Sequence, residues 1–166
     1  MAEPTSADSL QVPSWRPPGW VNAVVIRLLR TSGIERWLGS YIALLAFKGR
    51  RSGRLFATPL TYLRDGGEVI IVTKRGRVWW RNLLDEPRVA LRLAGRNVRG
   101  VARVLSGDDE RLSTLLSFLD HRRLDARAYG LEFDEAGRID PDRARAALPL
   151  IVVIRVTLIT GNDGSE

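Results

Sequence analysis

Cysteine is absent from the 166 residues, which excludes disulfides, thiolate metal sites and a cysteine nucleophile. Histidine occurs once, at His121, which argues against a multi-histidine metal centre and a Ser-His-Asp relay. Lysine is scarce as well: of 26 basic residues only Lys48 and Lys74 are lysines, a bias that fits a high-GC genome. No apolar run reaches the roughly 18 to 20 residues of a membrane-spanning helix. The N-terminal stretch lacks the basic start and small-residue cleavage site of a signal peptide, so the chain is read as cytosolic. Internal repeats and low-complexity tracts are also missing.

What is present is a composition 45% hydrophobic and 27% charged, enough for one globular domain with a sizeable core. The net charge is +7, and it is unevenly spread. Residues 48–103 hold fourteen basic and four acidic side chains, whereas residues 104–143 hold six and ten. An anion-attracting field therefore belongs to the middle third, which speaks to partners and not to fold.

Residues 1–18, with Pro4, Pro13, Pro17 and Pro18, show no period and read as a flexible lead; residues 161–166 read as a disordered tail, leaving a single domain over 19–160. Trp20, Val21, Val24, Val25, Leu28 and Leu29 recur at helical spacing, followed by Ile34, Trp37 and Leu38. This amphipathic arm packs on the core or, helped by Arg27, Arg30 and Arg36, touches a membrane surface. From Tyr41 the period becomes that of strands: Tyr41–Phe47, then Leu55–Leu63 with Phe56, Thr58, Leu60 and Tyr62 on one face. Glu68–Thr73 follows the Asp65-Gly66-Gly67 turn. Val78–Asp85 reads as a short helix that Pro87 stops. Arg88–Leu93 and Asn97–Leu105 form a hairpin, Ser106 with Asp109 resembles a capping box before a helix running towards Arg123, and residues 124–147 read as acidic loop with some helix. Leu150–Leu158 suits a strand buried on both faces. Six strands with outer helices imply a mainly β fold, an antiparallel barrel.

Two segments could carry chemistry. Lys48-Gly49-Arg50-Arg51-Ser52-Gly53-Arg54 places four positive charges, two glycines and a hydroxyl in one turn, a set that suits phosphate oxygens. Thr73-Lys74-Arg75-Gly76-Arg77-Val78-Trp79-Trp80-Arg81-Asn82-Leu83 places two adjacent tryptophans about 100° apart on a helix, so one can enter the core with Leu83 or Leu84 while the other faces a cleft beside Arg81 and Asn82. No P-loop spacing occurs. His121, after Asp120 on a charged helix end, reads as a surface residue. Asp108, Asp109 and Glu110 fit the first turn of a helix and its dipole.

These segments resemble the deazaflavin-dependent nitroreductases and quinone reductases, relatives of the FMN-binding split-barrel flavoproteins. The likeness runs from about Phe47 to Leu105 and rests on Gly49-Arg50-Arg51-Ser52-Gly53-Arg54, Thr58-Pro59-Leu60 with Tyr62, Asp65-Gly66-Gly67, Thr73-Lys74, and Trp80-Arg81-Asn82-Leu83 with Pro87. Nitroreductase-type members usually carry arginine where this chain has Phe56, and a longer loop after the lysine. The resemblance implies a six-stranded antiparallel split β-barrel that binds coenzyme F-420, with FMN as the alternative ligand. It further implies that Arg51, Ser52, Gly53 and Arg54 meet the phosphate, Thr58 and Pro59 the tail or linker, Thr73 and Lys74 the deazaflavin edge, and Trp80, Asn82 and Leu83, with Arg81, the far wall. It points to hydride transfer to a small planar or apolar acceptor such as a quinone, nitro compound or enone, with no catalytic side chain assigned and no metal. A haem-binding split barrel and a non-catalytic carrier are the competing readings. A nucleic-acid partner is not expected, because no recognition-helix or RNA-binding motif accompanies the arginines. A monomer or homodimer fits equally.

Overall fold

The computed structural model describes residues 41–159. The N-terminal lead, the amphipathic arm with its expected membrane contact, and the 161–166 tail lie outside the described residues. Seven strands run in chain order: β1 Ile42–Lys48, β2 Leu55–Thr61, β3 Leu63–Asp65, β4 Glu68–Lys74, β5 Arg88–Leu93, β6 Arg96–Val104 and β7 Ile151–Ile159. Between β4 and β5 lie a 3-10 turn, Val78–Arg81, and helix α1, Asn82–Asp85; between β6 and β7 lie α2, Asp108–His121, a 3-10 stretch, Arg123–Tyr129, and α3, Pro141–Ala147. The chain is thus mainly β, in one antiparallel sheet of order β2-β1-β5-β6-β7-β4-β3.

The seventh strand corrects the expected six. Leu55–Leu63 does not run as one strand but breaks at Tyr62, because its two halves pair with different neighbours. Thr61 is opposite Ile42 of β1, whereas Leu63 is opposite Ile70 of β4. The two edge strands of the sheet are therefore separated in the chain by Tyr62 alone. A flat seven-stranded sheet would set its edges about 29 Å apart, and one residue spans no more than about 7 Å. The sheet must curl until its edges meet.

Curling gives the sheet an inner and an outer face, and the strand alternation fills both. Ala43, Leu45 and Phe47 of β1, Val89, Leu91 and Leu93 of β5, Val152, Ile154 and Val156 of β7, and Val69 and Ile71 of β4 form the inner core with Tyr62 and Trp80. Outside, Ile70, Val72, Ile151 and Val153 are covered by Leu112, Leu115, Phe118 and Leu119 of α2 and Ala144 and Leu148 of the segment that follows. Each such side chain contributes on the order of 1.5–3 kcal/mol. Burial of β7 on both faces over Ile151–Ile154 agrees with its unbroken apolar sequence and its place between β6 and β4.

One local expectation changes and another sharpens. The cap of α2 is Gly107, with no side-chain bond, so Ser106 and Asp109 make no capping box; the acidic first turn is used in ion pairs instead, Asp108 with Arg111, Glu110 with Arg103 and Asp109 with Arg145. In the stretch read as acidic loop, Asp140 caps α3 by accepting from the N–H of Asp142 at 2.9 Å, and Pro141 opens the helix, a signature of helix starts. Among the described residues no helix is long and apolar enough to cross a membrane.

β3 begins with Leu63 opposite Ile70, and beyond its reach the carbonyl of Val72 accepts the Tyr129 hydroxyl at 2.8 Å. Burial, aided by Asp125, pushes the Tyr129 phenol up to about 12. Replacing Tyr129 with phenylalanine is expected to cost about 1 kcal/mol in urea unfolding at neutral pH. Above pH 10 the unfolded phenol ionises first, so wild-type stability falls between pH 10 and about 12; the phenylalanine variant should lack that component.

Candidate functional site

Lys48 and Leu55 are opposite each other at the ends of β1 and β2, so Gly49–Arg54 form the whole connection. The turn is closed on itself: Gly49 N–H donates to Arg54 C=O at 2.7 Å and Gly53 N–H to Gly49 C=O at 2.8 Å, while Ser52 Oγ accepts from Arg54 N–H at 3.3 Å. Gly53 has φ +64, a left-handed conformation that glycine adopts without strain. Arg50 N–H is held by Asn82 Oδ1 at 2.9 Å. The Arg51 and Ser52 N–H groups are left at the tip with no acceptor among the described residues. Two backbone donors without a described acceptor, flanked by guanidinium groups, are a donor set of the kind that suits an oxyanion.

The second half of the site comes from the end of β4. Lys74 is opposite Ile151, and the chain is pinned just after it. Arg75 N–H donates to Leu150 C=O at 2.9 Å, its Nε to Pro149 C=O at 2.7 Å, and its own carbonyl accepts Trp80 Nε1 at 3.2 Å. Trp80 is buried with Leu83, whereas Leu84 is exposed. The Arg75 and Arg81 guanidinium groups stand 5.7 and 5.6 Å from the Trp80 ring centroid, within cation–π range. Trp79, half-buried, lies 5.8 Å from Phe47, which stacks on Phe56 at 6.0 Å. One tryptophan enters the core and the other borders an aromatic shelf.

Both halves occupy the same end of the curled sheet, since β1 finishes and β2 starts where β4 finishes and β5 and β7 start. Arg51, Ser52, Gly53, Arg54, Lys74 and Arg81 are exposed there, and Asn82 is half-buried between them. Among the described residues Arg51, Arg54 and Lys74 have no carboxylate within ion-pair distance; Arg50 approaches Asp85 at 3.8 Å. Thr58 and Pro59, adjacent in β2, point to opposite faces: Thr58 inward opposite Leu45, Pro59 outward opposite Leu44. Thr58 stands roughly 13 Å along the strand from Arg54. Thr73 is buried on the inner face while Lys74 is exposed at the strand end. Trp80 and Leu83 are floor rather than rim.

Phe47 and Phe56 were not among the residues expected to meet a ligand, and Arg50 and Arg75 lay inside the two basic segments with no individual role assigned. The phenylalanines were legible, because a hairpin closed by Gly49–Arg54 sets Phe47 opposite Phe56. Arg50 acts chiefly through its backbone N–H, and Arg75 through backbone and guanidinium together, contacts that depend on how distant segments are brought together.

The described residues thus form a curled antiparallel half-barrel with a basic, glycine-containing turn and a buried tryptophan at one end. The model of the F420H(2)-dependent quinone reductase family matches residues 20–129, and the chain belongs to that family. A curated protein of Mycobacterium tuberculosis named as an F420H(2)-dependent quinone reductase is 34% identical over 73 residues, which cover 41% of this chain and 60% of that protein. The match thus spans less than two thirds of the relative's length. Among solved structures, a conserved protein of M. tuberculosis has a TM-score of 0.52 at 16% identity, covering 75% of this chain and 78% of the other. The FAD and heme binding protein of Mycobacterium smegmatis has a TM-score of 0.50 at 21% identity, covering 78% and 66%. These structural likenesses bear on the fold.

A Cβ on Gly49 would lie 2.6 Å from Phe56 Cε2 and 3.1 Å from Ser52 Oγ. Gly49→Ala is therefore expected to push the Phe56 ring off Phe47 and cost about 1–2 kcal/mol of stability. In the Phe56→Ala background the same change should cost much less. A double-mutant cycle in urea measures that coupling.

Proposed function

We propose that this protein binds the deazaflavin coenzyme F-420 at the Gly49–Arg54 turn and the Lys74–Asn82 segment, and reduces a small planar acceptor, with quinones foremost. The observation that carries the reading is the convergence of two segments, far apart in sequence, on one end of the sheet, where among the described residues the N–H groups of Arg51 and Ser52 have no acceptor and Arg51, Arg54 and Lys74 no carboxylate partner. That donor set fits a phosphodiester with a carboxylate-bearing tail. The family membership and the name of the M. tuberculosis relative support the same chemistry.

The bound deazaflavin supplies the hydride. The chain's own part is to bind and orient. Arg51 and Arg54 would neutralise the phosphate, with Ser52 and Gly53 allowing close backbone approach. Thr58, on the inner face of β2, lies on the path of the linker, and Pro59 turns away from it. Lys74 would face the ring edge, and the floor of Trp80 and Leu83, braced by Arg81, gives a flat, apolar surface from which water is excluded. The Phe47–Phe56–Trp79 shelf beside it suits an aromatic acceptor.

Titration with F-420 and with FMN, followed by tryptophan quenching, tests this reading. Micromolar binding of F-420, tighter than FMN, is expected; no F-420 binding at tens of micromolar overturns it. Replacing Arg51 and Arg54 together with alanine should weaken F-420 at least tenfold, since charge-assisted bonds contribute about 1.5–3 kcal/mol each. The reduced coenzyme should be consumed when a quinone is added. Tight binding with no turnover on quinones, nitroaromatics or enones would mark a carrier instead.

A further inference from the structure

We infer that Asn82 is a positioning residue that sets the shape of the anion-binding turn from the far side of the site, rather than a ligand of the coenzyme. The inference rests on the reading that the turn takes the phosphate. Both polar atoms of the Asn82 amide are committed to backbone groups: Oδ1 accepts Arg50 N–H at 2.9 Å and Nδ2 donates to Trp79 C=O at 2.8 Å. The first bond joins residues 32 apart in sequence, and it reaches the turn one residue before its free donors.

The geometry explains why this bond matters. Within the turn, Gly49, Gly53 and Arg54 use their N–H groups internally, which fixes its base but not its tilt relative to the rest of the site. Arg50 is the remaining handle, and its exposed ion pair with Asp85 at 3.8 Å is of the kind that adds little. Asn82 is itself fixed, because it ends the 3-10 turn and its backbone N–H also bonds to the carbonyls of Trp79 and Trp80. A single amide thus ties the phosphate-side loop to the segment that carries the tryptophan floor, and it aims the Arg51 and Ser52 donors. Pre-orientation of this kind lowers the cost of binding without adding a contact.

A direct ligand and a positioning residue differ in what they discriminate. Asn82→Ala should weaken F-420 about tenfold while leaving a deazaflavin that lacks the phosphate and tail within about twofold of its wild-type affinity. Equal losses for both molecules, or no loss for either, overturn the proposal. Amide exchange gives a second reading that needs no coenzyme. In the wild type the Arg50 N–H should exchange at least tenfold more slowly than those of Arg51 and Ser52. That protection should persist in Asn82→Asp, which keeps the accepting oxygen, and vanish in Asn82→Ala; comparable exchange of all three amides in the wild type overturns the clamp. A wild-type protein that binds no F-420 would instead sink the functional reading, with the exchange data still deciding whether the clamp exists.

Discussion

The structure depends on a covalent constraint: one residue, Tyr62, joins the two opposite edges of a seven-stranded sheet. No arrangement of a flat sheet satisfies it, so the curl is imposed by connectivity and then filled by side chains. At the break, the Arg122 Nε donates to Tyr62 C=O at 2.9 Å. The same guanidinium lies 4.0 Å from the centroid of the Tyr41 ring. The end of α2 is thereby tied to the point where the sheet closes. Once the edges meet, the ends of β1 and β4 are brought to the same rim, and the two basic loops follow.

The outer layer is fastened by arginines, in a way lysine could not match. Arg111 is buried, and its guanidinium bonds to Asp108 and to the carbonyls of Leu148 and Ile151. Arg155 meets Glu68 at 2.6 Å and Thr114 at 3.2 Å, linking β7, β4 and α2. Burying a charge is costly unless its hydrogen bonds are satisfied. A planar fork with five donors can serve several acceptors at once, whereas an ammonium group is a compact, strongly hydrated point charge. These contacts hold α2 against Ile70, Val72 and Val153 and so keep the outer face of β4 and β7 dry.

The strict alternation of β5, the shared face of Phe56, Thr58 and Leu60 in β2 and the glycine turns made the antiparallel class readable from the sequence, because period-two patterning is a local property. The break at Tyr62 was not readable: Phe56, Thr58, Leu60 and Tyr62 do share the inner face, and nothing local tells that pairing switches from β1 to β4 there. α3 carried a clear Asp140-Pro141 start, obscured by an acidic context that resembles loop. At the site, charge and aromatic residues announced the two segments, and the family resemblance put Asn82 on the ligand's far wall. Its hydrogen bonds to backbone groups of Arg50 and Trp79 become visible only once the hairpin and the 3-10 turn are set side by side.

The same placement divides the positive charge that the sequence pooled in residues 48–103. Arg88 and Arg103 are held by Glu86 and Glu110, so they act as surface staples and contribute little field. Arg92 and Arg96 lie towards the β5–β6 turn, at the end of the sheet away from Lys48 and Lys74. Charges separated by the length of a strand, roughly 20 Å, exceed the Debye length at physiological salt. They cannot help to hold an anion at the other rim. What remains there is Lys48, Arg50, Arg51, Arg54, Lys74, Arg75, Arg77 and Arg81, gathered around two backbone N–H groups that have no acceptor among the described residues. Gathering at one rim, and not the total over the chain, decides how strongly the field of these charges acts there.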